Sequence, residues 1–178
     1  GWEEALDLTT ITNSVGDEVQ VESKAYEAYL ALKEAVEKDL EGYEKGEVRL
    51  ELDSAYRSVA AQQKIVDDFT EKYGEDYVKK YVAVPGYSEH HTGLALDLYF
   101  TIDGKDVYEN EDLVQYPDIW DAVHARLPEF GFILRFPKDG EAVTGYAYEP
   151  WHIRYLDDPE IAKEITDKGL TLEEYLSE

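Results

Sequence analysis

The sequence predicts a single α+β domain with a central, mainly antiparallel sheet flanked by helices. Stretches with helical periodicity and stretches that alternate apolar and polar residues occupy separate parts of the chain, so helices and antiparallel strands segregate. A chain of 178 residues is the size of one domain. Its hydrophobic content of 43% is typical of a folded protein with a sizeable core.

Helices are predicted where apolar residues recur at helical spacing between a capping residue and a glycine. Ser, Thr and Asp oxygens accept the first backbone N–H groups of a helix, and glycine favours the position after its end. Thr171 with Glu174 forms a capping box before the last helix. The predicted helices are Ser23 to about Leu40, Val59 to Tyr73 after the cap Ser58, Tyr77 to Tyr81, Asp118 to about Leu127, Glu160 to Lys168, and a short helix after Thr171.

Strands are predicted where apolar and polar residues alternate, because successive side chains of a strand point to opposite faces. Residues 1–22 show no clear period and are interpreted as an irregular N-terminal arm, which leaves 23–178 as the folded domain. Two further segments, 105–117 and 138–145, are predicted to be loops. The predicted strands are Val48–Leu52, Leu94–Phe100, Phe132–Phe136 and Trp151–Leu156.

The composition excludes several classes of function. With 17 Lys and Arg against 41 Asp and Glu, the formal net charge of -24 repels phosphate backbones and anionic lipids, so no nucleic-acid partner is expected. No apolar run approaches the ~20 residues that a membrane span needs, so no membrane-spanning segment is expected in this chain. Cysteine is absent, so any metal site must use His, Asp and Glu.

Two short stretches offer the ligands and the base of a metal hydrolase. Asp97 lies on a strand whose neighbours are leucines, so its carboxylate needs a cation or a metal as partner. Gly93 allows the chain to turn, so that His90 can fold back over this strand, while His152 comes from a separate strand. Three protein ligands with an open position are typical of catalytic zinc. Glu149, at the entrance of the last strand, is the candidate general base.

Three motifs occur in combination along the chain. They are Ser-x-His-x-x-Gly-x-Ala-x-Asp at 88–97, Glu-x-Trp-His at 149–152, and Ser-Ala-Tyr-Arg-Ser at 54–58 followed by Gln62. In this combination the chain resembles the VanY-type D-alanyl-D-alanine carboxypeptidases, which include L,D-carboxypeptidases of the LdcB and DacB kind. The resemblance covers 54–152, and the third motif departs from the family only in having Ala55 where glycine is usual.

The resemblance implies a role for each residue of the site. It implies one Zn²⁺ ion, whose ligands are His90, Asp97 and His152. It implies that Glu149 accepts a proton, and that Arg57 stabilises charge on the scissile carbonyl oxygen. It also implies that Ser88 and Gln62 contact the C-terminal end of the peptide. Trp151, beside a ligand, either lines the substrate pocket or packs in the core.

The expected function is removal of the C-terminal D-alanine from peptidoglycan stem peptides by D,D- or L,D-carboxypeptidase action. The expected partner is the stem peptide, the expected location is the bacterial cell envelope or the medium, and the expected state is a monomer. One alternative is a non-catalytic zinc-containing module that binds cell-wall peptide, although structural zinc normally has four protein ligands. Another is a non-haem iron oxygenase, since two His and one carboxylate also form its triad. That triad leaves Glu149 and Arg57 without a role.

Overall fold

The computed structural model describes residues 6–178, which form seven strands and eight α-helices. The strands are β1 (Leu8–Thr12), β2 (Glu18–Glu22), β3 (Val48–Ser54), β4 (Ala95–Ile102), β5 (Lys105–Val107), β6 (Phe132–Leu134) and β7 (His152–Tyr155). The helices are α1 (Ser23–Asp39), α2 (Val59–Tyr73), α3 (Glu75–Tyr81), α4 (Asn110–Leu113), α5 (Pro117–Arg126), α6 (Glu141–Thr144), α7 (Pro159–Lys168) and α8 (Leu172–Ser177). Two turns of 3₁₀ helix cover Glu89–Thr92 and Pro128–Phe130.

The main sheet has five strands, and β4 lies in its middle. The order is β3-β4-β7-β6, with β5 paired to the second half of β4 and β7 paired to the first half. Every pairing is antiparallel, so the predicted α+β domain with a mainly antiparallel sheet is confirmed. The strand β4 is buried on both faces, because Leu96, Leu98 and Phe100 pack on one side and Tyr99 on the other.

Helices α1 and α5 cover the sheet with their apolar faces. In α1 the buried side chains are Ala25, Tyr29, Leu32 and Val36, which recur every three or four residues along one stripe. In α5 the buried side chains are Ile119, Trp120 and Val123. All of them join the side chains of β3 and β4 in one hydrophobic core. The site described below therefore lies on a sheet whose strands β3 and β4 are held in place by the packing of α1 and α5.

The predicted helix boundaries agree closely with the structure at several caps. Ser58 precedes α2 and accepts a hydrogen bond from the Ala61 N–H group, and Gly74 ends the helix. The capping box of Thr171 and Glu174 before α8 is present in both directions. Helix α5 begins at Pro117 instead of Asp118, because proline is well suited to the first helical turn.

Three predictions of irregular structure are wrong. The N-terminal arm contains a β1–β2 hairpin, which buries Val19 and Val21 against the core, while residues 1–5 lie outside the described part of the chain. Segment 105–117 contains β5 and α4, and segment 138–145 contains α6. These elements have three to five residues each, so tertiary contacts decide their conformation more than local periodicity does.

Among residues 6–178, no helix has the length and apolar character required to cross a membrane.

Candidate metal centre and active site

Strand register places the central residues of the site next to each other. In β4, Asp97 pairs with Ser54 of β3 on one side and with His152 of β7 on the other. Directly opposed residues of antiparallel strands have neighbouring side chains, so His152 and Asp97 meet without any loop rearrangement. The β3 register shifts between Leu52 and Ser54, and such bulges re-aim side chains beside functional sites.

His90 reaches Asp97 from the 3₁₀ turn before β4. Gly93 ends this turn in the left-handed conformation, with φ of 74°, and so returns the chain toward the sheet. His90 Nδ1 lies 2.7 Å from the Ala55 carbonyl oxygen, which can only accept, so Nδ1 donates and Nε2 carries the lone pair. His90 Nε2 lies 3.1 Å from Asp97 Oδ2.

His152 completes a group that is suited to a metal ion. Its Nδ1 lies 3.1 Å from Asp97 Oδ1 and 3.5 Å from Glu149 Oε2, while its Nε2 donates to Glu89 Oε1 at 2.7 Å. Ligand atoms of His90, Asp97 and His152 all lie within 4.8 Å of one another. Among the described residues, the buried Asp97 Oδ1 has no hydrogen-bond partner, an arrangement that a cation would satisfy. The donor set therefore fits one Zn²⁺ ion.

The electrostatics of this group favour positive charge next to Asp97. Burial raises the pKa of Asp97, but the charges of His90 and His152 outweigh burial and hold it well below its usual value. Burial lowers the pKa of His152, but Asp97 and Glu89 outweigh burial and raise it to about 10. A divalent cation would supply the same compensation for Asp97, with both imidazoles neutral.

Glu149 lies at the edge of this group in a dry environment. Its side chain is 5% exposed, and its backbone N–H group donates to the Phe136 carbonyl oxygen before the chain enters β7. Burial raises the pKa of Glu149 to about 8, and His152 only partly offsets the effect. A carboxylate with a raised pKa near the ligand atoms has the proton affinity that a general base needs.

Arg57 faces the Asp97 carboxylate from the segment that follows β3. Its Nη2 donates to Ser54 Oγ at 2.7 Å and lies 3.9 Å from Asp97 Oδ2, and its Nη1 donates to Gln62 Oε1 at 2.8 Å. Gln62 is 1% exposed, and its Nε2 donates to the Ala83 carbonyl oxygen. The oxygen and the nitrogen of the Gln62 amide group both form hydrogen bonds within the protein, so Gln62 orients Arg57. Gln62 also belongs to the lining of the cavity, and its contact with substrate stays a prediction.

The remaining predicted residues line a cavity of about 910 Å³ in front of the metal group. The Ser88 hydroxyl accepts a hydrogen bond from the His90 N–H group at 3.2 Å, and Ser88 is one of the residues that line the cavity. Trp151 belongs to the hydrophobic core and also lines the cavity, so it packs in the core, while its contact with substrate stays a prediction. The cavity is large enough for a short peptide.

Several residues of this site could hardly be recognised from the sequence. Glu89 and Asp53 both lie in the cavity wall, as does Arg135, which directly follows β6. The only signal for Glu89 was its place between two motif residues. Two other histidines form hydrogen bonds to the backbone. His91 bonds to the Arg57 carbonyl oxygen, and His124 bonds to the Pro150 carbonyl oxygen.

Comparisons with known proteins agree with this geometry. The family model described as "VanY: D-alanyl-D-alanine carboxypeptidase" matches residues 18–158. YodJ of Bacillus subtilis (strain 168) is 40% identical over 156 residues, which cover 87% of this chain and 53% of YodJ. The chain thus spans about half the length of that relative.

Two solved structures share the fold along nearly the whole chain. The LdcB LD-carboxypeptidase structure has a TM-score of 0.77 and 35% identity, and the match covers 99% of this chain and 79% of that one. The structure of a VanY D,D-pentapeptidase mutant from a VanB-type resistance cassette, in complex with Zn(II), has a TM-score of 0.74 and 31% identity. That match covers 97% of this chain and 91% of the other.

Proposed function

The chain belongs to the VanY family of D-alanyl-D-alanine carboxypeptidases, and from that premise we propose that it removes the C-terminal D-alanine from peptidoglycan stem peptides. The observation that carries the proposal is the convergence of His90, Asp97 and His152 beside the buried Glu149. We assign the first three as the ligands of one Zn²⁺ ion. Bound there, the ion would polarise a carbonyl oxygen and make a water molecule more acidic.

Glu149 is the proton acceptor in this proposal. Its Oε2 lies 3.5 Å from the ligand atom of His152, so a water molecule bound next to the ligand atoms would be within its reach. The carboxylate takes a proton from the attacking water and later gives it to the nitrogen of the leaving D-alanine. Burial at this position removes competing solvent and strengthens each interaction with the reacting groups.

Arg57 and Ser88 recognise the substrate in this proposal. The Arg57 guanidinium is always charged, and Gln62 and Ser54 hold it in place at the cavity wall, so it can stabilise negative charge on the scissile carbonyl oxygen. Ser88 supplies a hydroxyl to the peptide end, and Trp151 an apolar wall. Because the substrate is a cell-wall peptide, we place the enzyme outside the cytoplasmic membrane, acting as a monomer.

The test is incubation with muropeptides that end in a pentapeptide or in a tetrapeptide, in parallel, with mass spectrometry of the products. We expect release of a single D-alanine, loss of activity with a zinc chelator, and recovery when zinc is restored. The peptide that reacts decides between D,D and L,D action. Binding of either peptide without turnover in the zinc-loaded protein would instead indicate a cell-wall binding module.

A matched pair of variants tests the proton acceptor. Glu149→Gln should keep the fold and the zinc but reduce turnover by about 10²–10⁴-fold, because an amide cannot accept the proton. Glu141→Gln, at the exposed first position of α6, should retain wild-type turnover. Near wild-type activity of Glu149→Gln would show that another group accepts the proton.

A further inference from the structure

Glu89 connects the metal group to a pair of arginines. Its Oε1 accepts from His152 Nε2 at 2.7 Å. Its Oε2 accepts from Arg135 Nε at 2.9 Å and from Arg154 Nη1 at 3.2 Å. Both carboxylate oxygens are thus engaged with protein donors, so Glu89 is poorly placed to take a proton from water. Its side chain is 15% exposed, at the inner wall of the cavity.

We propose that Glu89 is the positioning residue of His152, which it holds in the tautomer and ring orientation that direct Nδ1 at the metal. This inference rests on the zinc site of the proposed function. It assigns Glu89 no contact with the substrate or with the attacking water.

The geometry of the imidazole carries this inference. A carboxylate can only accept, so the nitrogen that faces Glu89 must carry a proton, and in the neutral imidazole that binds a metal the lone pair is then on Nδ1. That atom lies 3.1 Å from Asp97 Oδ1, on the metal side of the ring. His90 has the opposite arrangement, with Nδ1 bonded to a backbone carbonyl oxygen and Nε2 toward Asp97. Each ligand histidine therefore has its own acceptor, and only that of His152 is charged.

Glu89 is itself held from two directions. Arg135 follows β6 and also pairs with Glu173 of α8, while Arg154 lies in β7 two residues after His152. The two guanidinium groups fix the carboxylate, since a charged hydrogen bond is directional and strong when little exposed to water. Removing Glu89 leaves both arginines and the outer nitrogen of His152 without this shared acceptor.

The experiment measures zinc affinity by competition with a chromophoric chelator, in the wild type and in three variants. Acceptors behind ligand histidines typically contribute 10–100-fold in metal affinity. We expect Glu89→Ala to weaken zinc binding by about that factor, and Glu89→Gln to weaken it less, because its amide oxygen can still accept. Glu173→Gln is the matched control, since it removes the negative charge of the other partner of Arg135 and leaves the bond between Glu89 and His152. We expect it to change the zinc affinity by less than about 3-fold.

A second readout reports the tautomer directly. In zinc-loaded wild-type protein, NMR should show the His152 Nε2 proton in a strong hydrogen bond, and Glu89→Gln should shift this resonance because a neutral acceptor is weaker. In turnover, Glu89→Gln should lower kcat more than it changes KM, because the substrate contacts remain.

The outcomes separate this inference from the proposed function. A wild-type protein that binds no zinc contradicts the proposed function. A wild type that binds one zinc, with folded Glu89 variants that bind it within 2-fold and an unshifted His152 resonance, overturns the role of Glu89 alone. Equal loss of zinc affinity in Glu173→Gln and Glu89→Ala also overturns it, because the network would then act only as a scaffold.

Discussion

Asp53 occupies the bulge of β3 in the cavity wall, where a carboxylate is held in an unfavourable environment. Burial raises its pKa to about 6, and the Tyr108 hydrogen bond and the charge of Arg57 offset the effect only in part. Nearby Asp97 adds to the increase. Such a residue costs stability at neutral pH, and its place beside Arg57 suits the polar wall of a peptide site.

We expect Asp53→Asn to stabilise the protein at pH 7 and not at pH 4. The folded state keeps the Asp53 proton up to about pH 6, whereas the unfolded chain loses it near the ordinary aspartate pKa of 3.8, so this contribution to stability disappears as pH rises between the two values. The gain from the variant at pH 7 is at most about 3 kcal/mol. Urea unfolding with a chelator present measures it.

The control for this substitution is Asp121→Asn, at an exposed position of α5, which removes one negative charge from the same acidic chain. A gain of equal size in both variants would assign the effect to net charge. A gain for Asp53→Asn that does not change with pH would contradict the shifted titration of this carboxylate.

The residues proposed to carry chemistry could be found in the sequence because each of them lies in a short motif with local spacing. Asp97 and His90 lie within eight positions of each other, and the pattern around them shows a turn and then a strand. The supporting interactions could not be predicted in this way. The contacts of Glu89 depend on Arg135 and Arg154, which are brought to it by strand pairing across more than forty positions. The roles assigned to the site residues stay predictions until the variants are measured.

At the scale of elements, the β1–β2 hairpin supports two of the three motif segments. The Tyr56 N–H group donates to the Gln20 carbonyl oxygen at 2.6 Å, and the Glu22 N–H group donates to the Gly93 carbonyl oxygen at 3.2 Å. The hairpin therefore contacts both the Arg57 segment and the turn that carries His90. Its position indicates that it stabilises both segments, and we call this support the brace.

We expect Gly93→Ala to test this brace. Residue 93 has φ of 74°, where a side chain costs about 1–2 kcal/mol. A methyl group there would also lie 3.2 Å from the Glu22 nitrogen and 3.3 Å from Leu8 Cδ2. Gly145→Ala is the matched control, since its φ of 81° is similar and no atom lies within 4 Å of the added methyl group. We expect urea unfolding to show a loss larger by about 1 kcal/mol in Gly93→Ala, together with weaker zinc binding.

Equal losses of unfolding free energy in the two variants would show that the hairpin adapts to the added methyl group at no cost and does not stabilise the turn. The hairpin itself was missed in the sequence because β1 is Leu-Thr-Thr-Ile-Thr, whose alternation is weak. One signal was present: Val19 and Val21 alternate in β2, after a turn that contains Gly16 with φ of 89°. By contrast, β4 and α2 are long enough for their own pattern to decide their structure.

At the scale of the whole molecule, the net charge of -24 opposes the substrate that the site is proposed to take. A peptide with a free C-terminus carries a carboxylate, so the mean field of the protein slows its approach. Next to the metal group, individual positive charges can attract the same carboxylate at short range. Arg57 lines the cavity, and the ligand set fits a dication. A general repulsion and a local attraction thus act over different distances.

These two distances lead to a prediction about salt. The screening length, beyond which exposed charges hardly interact, is about 10 Å at 0.1 M ionic strength and about 3 Å at 1 M. Salt therefore weakens the long-range repulsion before it weakens contacts inside the cavity. We expect kcat/KM for a free-acid pentapeptide to increase as ionic strength rises from about 0.02 to about 0.2 M, chiefly through KM. A decrease over this range would show that the positive charge of the site dominates the approach of the peptide.

The same peptide with an amidated C-terminus distinguishes the electrostatic effect on the approach of the peptide from the recognition of its terminal carboxylate. Amidation removes the charge that the field repels, so its kcat/KM should depend less on salt. It also removes a charge-assisted contact worth about 1.5–3 kcal/mol, so kcat/KM should fall at least ~10-fold at every ionic strength. Steady-state rates of D-alanine or D-alaninamide release measure both effects. Equal cleavage of the two peptides would mean that the terminal carboxylate is not recognised, and the same metal chemistry would then serve an endopeptidase.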